Sequence, residues 1–152
     1  MQQLIARLRA EHQAMESDLC TLQLRVARRP VSRLALVDIL NLLDTRLLPH
    51  DRLEETHLFP QLDAPPPESA GNDHERIAAD RARLREGLAG WTKRRVPDPS
   101  ELDELACMAE DLIVCILQHF QVEERQVFRP FEHPDELPAE APLAIAAMQA
   151  GT

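Results

Sequence analysis

His50-Asp51-Arg52-Leu53-Glu54-Glu55-Thr56-His57-Leu58-Phe59-Pro60 returns, in outline, as His119-Phe120-Gln121-Val122-Glu123-Glu124-Arg125-Gln126-Val127-Phe128-Arg129-Pro130. Both stretches run His, three residues, Glu-Glu, two residues, an aliphatic, Phe and a nearby Pro. On a helix, positions i and i+4 share a face about 6 Å apart along the axis. Each copy therefore aims one imidazole and one carboxylate the same way. With His12 and His74 added, the pattern is that of a metal site built between helices.

The surrounding periodicity supplies those helices. Ile5, Leu8, His12, Met15, Leu19, Leu22 and Val26 alternate by three and four. So do Leu36, Leu40, Leu43, Leu47, His50, Glu54 and His57, and again Leu102, Leu105, Ala109, Leu112, Ile116, His119 and Glu123. A looser stripe joins His74, Ile77, Leu84, Leu88 and Trp91, with Arg81 breaking it. Such spacing on helices with short links predicts an all-α, up-down antiparallel four-helix bundle. The first helix is expected from Gln2 to about Arg28, before Pro30. The second is capped by Ser32 and ends near Leu62, before the stiff Ala64-Pro65-Pro66-Pro67 connector. The third runs from Asn72 or Asp73 to about Arg95. The fourth is capped by Ser100 and stopped by Pro130 near Phe128. Residues 1–130 form the bundle. Residues 131–152 form a Pro/Ala-rich tail, with a short helix expected at 143–148.

Composition agrees with helix and narrows function. The 152 residues suit one domain, and 44% are hydrophobic but only 3% aromatic. A net charge of −9 makes nucleic acid an unsuitable partner. No apolar run approaches the roughly 18 residues of a membrane span, so no membrane partner is expected. Three cysteines without a paired Cys-x-x-Cys suit a reducing, cytoplasmic compartment. Histidines and glutamates on core stripes cost several kcal/mol each if unpaired. A metal satisfies them, and imidazole with carboxylate suits iron, zinc, copper or nickel. His12, His50 and Glu54 in the first helix pair mirror His74, His119 and Glu123 in the second. That symmetry suggests two half-sites and two ions and favours His12 with His50 and His74 with His119, without fixing which histidines share an ion.

These residues resemble the hemerythrin-like family, in its HHE cation-binding branch, over roughly residues 1–130. The resemblance implies two non-haem iron ions with an oxo or hydroxo bridge. It also implies terminal ligands His12, His50, His74 and His119, and bridging Glu54 and Glu123. One departure stands out: oxygen carriers of the family place a second His one turn after the third-helix ligand, and here that position is Ala78. The implied function is binding or sensing of dioxygen or nitric oxide. The alternatives are a redox enzyme reducing peroxide or nitric oxide, or an iron donor in repair of iron–sulfur centres. A homodimer is left open.

Other residues read more plainly. Asp51, Glu55, Phe120 and Glu124 flank the ligand positions and are expected at solvent or around the site rather than on a metal. His57 is expected at an exposed helix end and His133 at the surface. Cys115 and Cys20 face the core as small apolar groups, with a redox-sensing thiol as the alternative. Pro49 is expected to kink the second helix. Leu58, Phe59, Val127 and Phe128 close the bundle end against water.

Overall fold

The computed structural model describes residues 1–62, 68–92 and 95–132, with the backbone alone for 68–72, 130 and 132. The Ala64-Pro67 connector, His133 and the 143–148 segment lie outside the described residues. Four long helices pack together and no strand occurs among the described residues. α1 is Gln2–Val26. α2 is continuous over 33–61: Arg33–Leu42, then turns at Leu43–Leu47, Leu48–Leu53, Glu54–Leu58 and Phe59–Gln61. α3 is Glu68–Ala89. α4 spans 99–132, as Pro99–Glu123, Glu124–Phe128 and Arg129–Glu132.

The predicted seams are the observed core. All seven stripe residues of α1 are buried. In α2 only His57 of the predicted seven is exposed. Met15, Leu19, Leu36, Leu43, Leu47, Leu84, Leu112 and Ile116 build the larger apolar cluster. Ile5, Leu8, Leu58, Val127 and Phe128 build a second at the opposite end. The polar stripe residues lie between these two clusters, so apolar packing brackets the site along the bundle axis.

Several helix ends differ from expectation. Ser32 caps α2 as predicted, its Oγ accepting from the Ala35 N–H at 3.1 Å. For α4 the cap is Asp98, not Ser100. Asp98 accepts from the Glu101 N–H and Glu101 accepts from the Asp98 N–H, both at 2.9 Å. Pro99 at the first helical position has no N–H to satisfy, so the capping box begins one residue earlier. α1 ends at Val26 rather than Arg28, and α3 runs from Glu68 to Ala89 rather than from 72–73 to 95. Gly87 of α3 lets Leu105 of α4 come close: a Cβ there would lie 2.5 Å from Leu105 Cδ2.

Helical hydrogen bonding in α2 continues through Pro49, and α4 does not end near Phe128. Three π-helical turns, Leu43–Leu47, Glu54–Leu58 and Glu124–Phe128, each stop two residues before a proline. The N–H just before each proline bonds five residues back: Leu48 to Leu43, Phe59 to Glu54, and Arg129 to Glu124. Proline has no N–H for the carbonyl four residues earlier, and its ring would strike that carbonyl. One widened turn relieves both problems and lets the helix continue.

α4 is also more apolar than the sequence reading allowed. By length and composition its 99–128 stretch could cross a membrane, with mean hydropathy 1.4 in its most apolar window. Half of that window is buried inside the bundle. Its apolar side chains are those of a central helix touching α1, α2 and α3.

Candidate metal centre

Each helix contributes inward-facing polar side chains at the same level. His12 comes from α1, His50 and Glu54 from α2, His74 from α3, and His119 and Glu123 from α4. All six are at most 9% exposed, and both glutamates are completely buried. The structure thus brings together every residue that the sequence proposed as a ligand.

The six sort into two pairs of imidazoles separated by two carboxylates. His12 Nε2 and His50 Nε2 are 2.8 Å apart, and His74 Nε2 and His119 Nε2 are 3.1 Å apart. Glu54 gives one oxygen to each pair, Oε1 at 3.3 Å from His50 and Oε2 at 3.7 Å from His74. Glu123 does the same, with Oε2 at 3.3 Å from His12 and Oε1 at 3.2 Å from His119. Hence two compact groups form that share the carboxylates. His12, His50, Glu54 and Glu123 offer four atoms within 4.8 Å of one another, and so do Asp51, Glu54, His74 and His119.

The outer edges of the imidazoles show why the inner nitrogens need a cation. His12 Nδ1 donates to Glu124 at 3.2 Å, His50 Nδ1 to Glu11 at 2.9 Å, and His74 Nδ1 to Glu55 at 3.0 Å. His119 Nδ1 faces Asp73 at 3.8 Å, beyond hydrogen-bond reach. With the proton on Nδ1, each Nε2 carries a lone pair toward the centre. In the first pair two such lone pairs face each other at 2.8 Å. Four carboxylate oxygens of Glu54 and Glu123 also lack a hydrogen-bond partner among the described residues. Opposed lone pairs and unpartnered buried oxygens are an expensive arrangement without positive charge between them. Cations at the two groups would satisfy both sets, and carboxylates on the outer nitrogens are the usual support for ligating histidines.

Electrostatics follow from the same packing. Burial, then the neighbouring imidazoles, pushes His12 down to about 2 and His119 to about 3. Both are neutral, as ligands must be. His50 is also penalised by burial, but Glu54 and Glu11 outweigh that and raise it. Burial, then the charge of Glu54, pushes Glu123 well up. Glu11 is raised by burial yet ends lowered, held by Arg7 and His50.

Five residues around the ligand positions need a fuller account. Asp51, expected at solvent or beside the site, is 8% exposed and belongs to the second group. Its Oδ1 lies 4.0 Å from His74 Nε2 and has no hydrogen-bond partner among the described residues. Asp51 follows the widened turn Leu43–Leu47 of α2. Glu11 and Asp73 were missed, while Glu55 and Glu124, expected at solvent or around the site, lie on the outer nitrogens of His74 and His12. Their signal was present: an acidic residue immediately precedes His12 and His74, and another immediately follows Glu54 and Glu123. Helix geometry makes adjacent residues diverge, so the neighbour of one ligand serves the imidazole of another helix.

Thiols stay apart from this chemistry. Cys20 is exposed, contrary to the core-facing expectation, because it follows the buried Leu19 on the outer face of α1. Cys115 is buried, and burial pushes its thiol up, which keeps it protonated and unreactive.

An all-helical bundle with buried His/Glu groups spaced for a cation defines a metal-binding four-helix protein. The family model described as "Hemerythrin HHE cation binding domain" matches residues 3–131, and the chain belongs to that family. Searches of curated proteins and of solved structures returned no match.

Proposed function

We propose that this chain is a non-haem di-iron protein that binds or senses dioxygen or nitric oxide in the bundle core. The observation that carries the reading is the double reach of Glu54 and Glu123, each presenting one oxygen to either imidazole pair. His12, His50, His74, His119, Glu54 and Glu123 would hold the two ions between them, and the ions would satisfy these inward-facing donors. Imidazole and carboxylate together suit iron, and the family is a cation-binding one. Paired ferrous ions supply electrons and coordination positions to a small ligand.

The chain's own residues hold and shield that chemistry. Glu11, Glu55 and Glu124 lock three imidazoles with Nε2 inward. Phe128 stacks on His12 at 5.1 Å and Phe59 on His74 at 5.9 Å, which closes one end of the site against water. The other end meets the large apolar cluster. Apolar packing at both ends limits the approach of water along the bundle axis.

The test is metal content after anaerobic reconstitution, then the visible spectrum of the reduced protein exposed to dioxygen or nitric oxide. The expected result is about two irons per chain and a ligand-dependent spectrum that decays slowly. Catalytic consumption of peroxide or nitric oxide would replace the binding reading with the redox-enzyme one. A protein that takes up no transition metal would refute both.

A further inference from the structure

We propose that Asp51 is itself a protein ligand of the metal centre, binding the ion held by His74 and His119, so that the two ions differ in their protein donors. The inference rests on the di-iron reading and adds a donor that the repeated His-x3-Glu motif does not contain.

Asp51 lies where such a ligand must lie. One atom each from Asp51, Glu54, His74 and His119 form a group whose members are all within 4.8 Å of one another. A nitrogen and an oxygen bound to one transition ion each sit about 2.0–2.2 Å from it, so they are at most about 4.4 Å apart. From His74 Nε2, Asp51 Oδ1 is 4.0 Å away, Glu54 Oε2 3.7 Å, Glu123 Oε1 3.6 Å and His119 Nε2 3.1 Å. All four fall inside that limit. Ala78, one turn after His74 on α3, carries no donor. The added donor on this side comes from α2 instead.

Among the described residues no protein group accounts for the burial of this carboxylate. Asp51 is 8% exposed, and its Oδ1 has no hydrogen-bond partner. Arg81 lines the same cavity between α2 and α3. Its Nη1 turns to Asp44 at 3.0 Å, and its Nε is also without a hydrogen-bond partner. A bond between Arg81 Nε and Asp51 Oδ1 would have satisfied both atoms, and it does not form. Asp51 and Glu54 are moreover three residues apart on α2, so two like charges share one face and repel. A buried carboxylate left unpaired is costly. An ion at His74 and His119 satisfies Asp51 Oδ1 and turns the repulsion from Glu54 into shared attraction.

The second copy of the repeat makes no such addition. Phe120 stands at the matching position and stacks on His12 at 4.1 Å. An aromatic ring there supplies no donor. The first group accordingly comprises His12, His50, Glu54 and Glu123.

The experiment is Mössbauer spectroscopy of the iron-loaded full chain, with iron content and chelator competition on each sample. Asp51→Asn keeps the shape of the side chain and removes its charge. Half of the iron signal should shift or vanish with its iron, and the other half should stay as in the parent. One ion should bind at least about 10–100-fold more weakly, the loss that even the outer partners of metal ligands cause. Asp51→Glu restores the carboxylate and covers the case in which Asp51→Asn sheds both ions: it should regain the iron that Asp51→Asn lost. An Asp51→Asn spectrum and iron affinity equal to the parent's would overturn the assignment. So would equal changes in both halves of the signal, or an Asp51→Glu variant that regains no iron. A parent protein without iron refutes the di-iron reading instead, so the two failures are distinguishable.

Discussion

The two halves of the centre are built from the same repeat and end up chemically different. Each pairs two imidazoles across a helix boundary, each shares Glu54 and Glu123, and each has a phenylalanine at the bundle end. Among the positions at which the two copies differ, Asp51 stands where the second copy has Phe120. That difference gives one half a buried carboxylate oxygen with no hydrogen-bond partner among the described residues and sets an aromatic ring against His12 in the other. Internal symmetry thus supplies two matching imidazole pairs, and one neighbour makes their surroundings differ.

The harshest way to break the comparison is to remove what the halves share. Glu54→Ala should empty both groups, with iron falling from about two per chain to near none. Retention of full iron with an unchanged spectrum would show that the glutamate is no bridge. Next comes the aromatic lid. Phe120 is fully buried, so Phe120→Ala should cost about 3–5 kcal/mol of stability, measurable by denaturant unfolding of the metal-free protein. That loss should be similar at all pH values.

Asp51→Asn should behave in the opposite sense, because its carboxyl is raised from 3.8 to about 6 by burial and then by Glu54, against the pull of His74. Stability linked to its protonation is complete below the ordinary value and is lost as pH rises through about 6. The metal-free Asn variant should therefore be more stable than its parent above pH 6, with the advantage fading toward about pH 4. The depressed His12 and His119 run the other way, stabilising above 6.5 and losing that contribution as pH falls. They are present in both proteins and cancel in the difference. A pH-independent difference would place Asp51 at solvent.

The smallest effects belong to the outer carboxylates. Glu124→Gln should weaken iron binding by about 10–100-fold in a chelator competition. Asp73→Asn should weaken it least, since its 3.8 Å separation from His119 Nδ1 is no hydrogen bond. Equal losses for the two would mean that charge, rather than ring orientation, is what these groups provide.

Much of this was legible before any coordinates. Three-four spacing alone placed His12 among the buried residues of α1 and set Glu54 and Glu123 at i+4 from their histidines. That geometry is local, because 3.6 residues per turn determines which side chains share a face. For Asp51 the same geometry left solvent and site both open: a neighbour of a stripe residue points about 100° away, toward solvent in an isolated helix. Here it points at α3. Cys20 failed in the opposite direction, its eight-residue spacing from His12 having drifted off the core face. Pro49 and Pro130 looked like breaks until the widened turns before them removed the clash.

The sequence by itself determined the bundle, its four seams and the six inward donors, because each is a property of one helix. Tertiary structure alone decided which acidic neighbour supports which ring and that Asp51 turns toward His74. Those outcomes depend on how four helices are rotated against one another. That rotation is set by the packing of all the seams together, and no single stretch of chain encodes it.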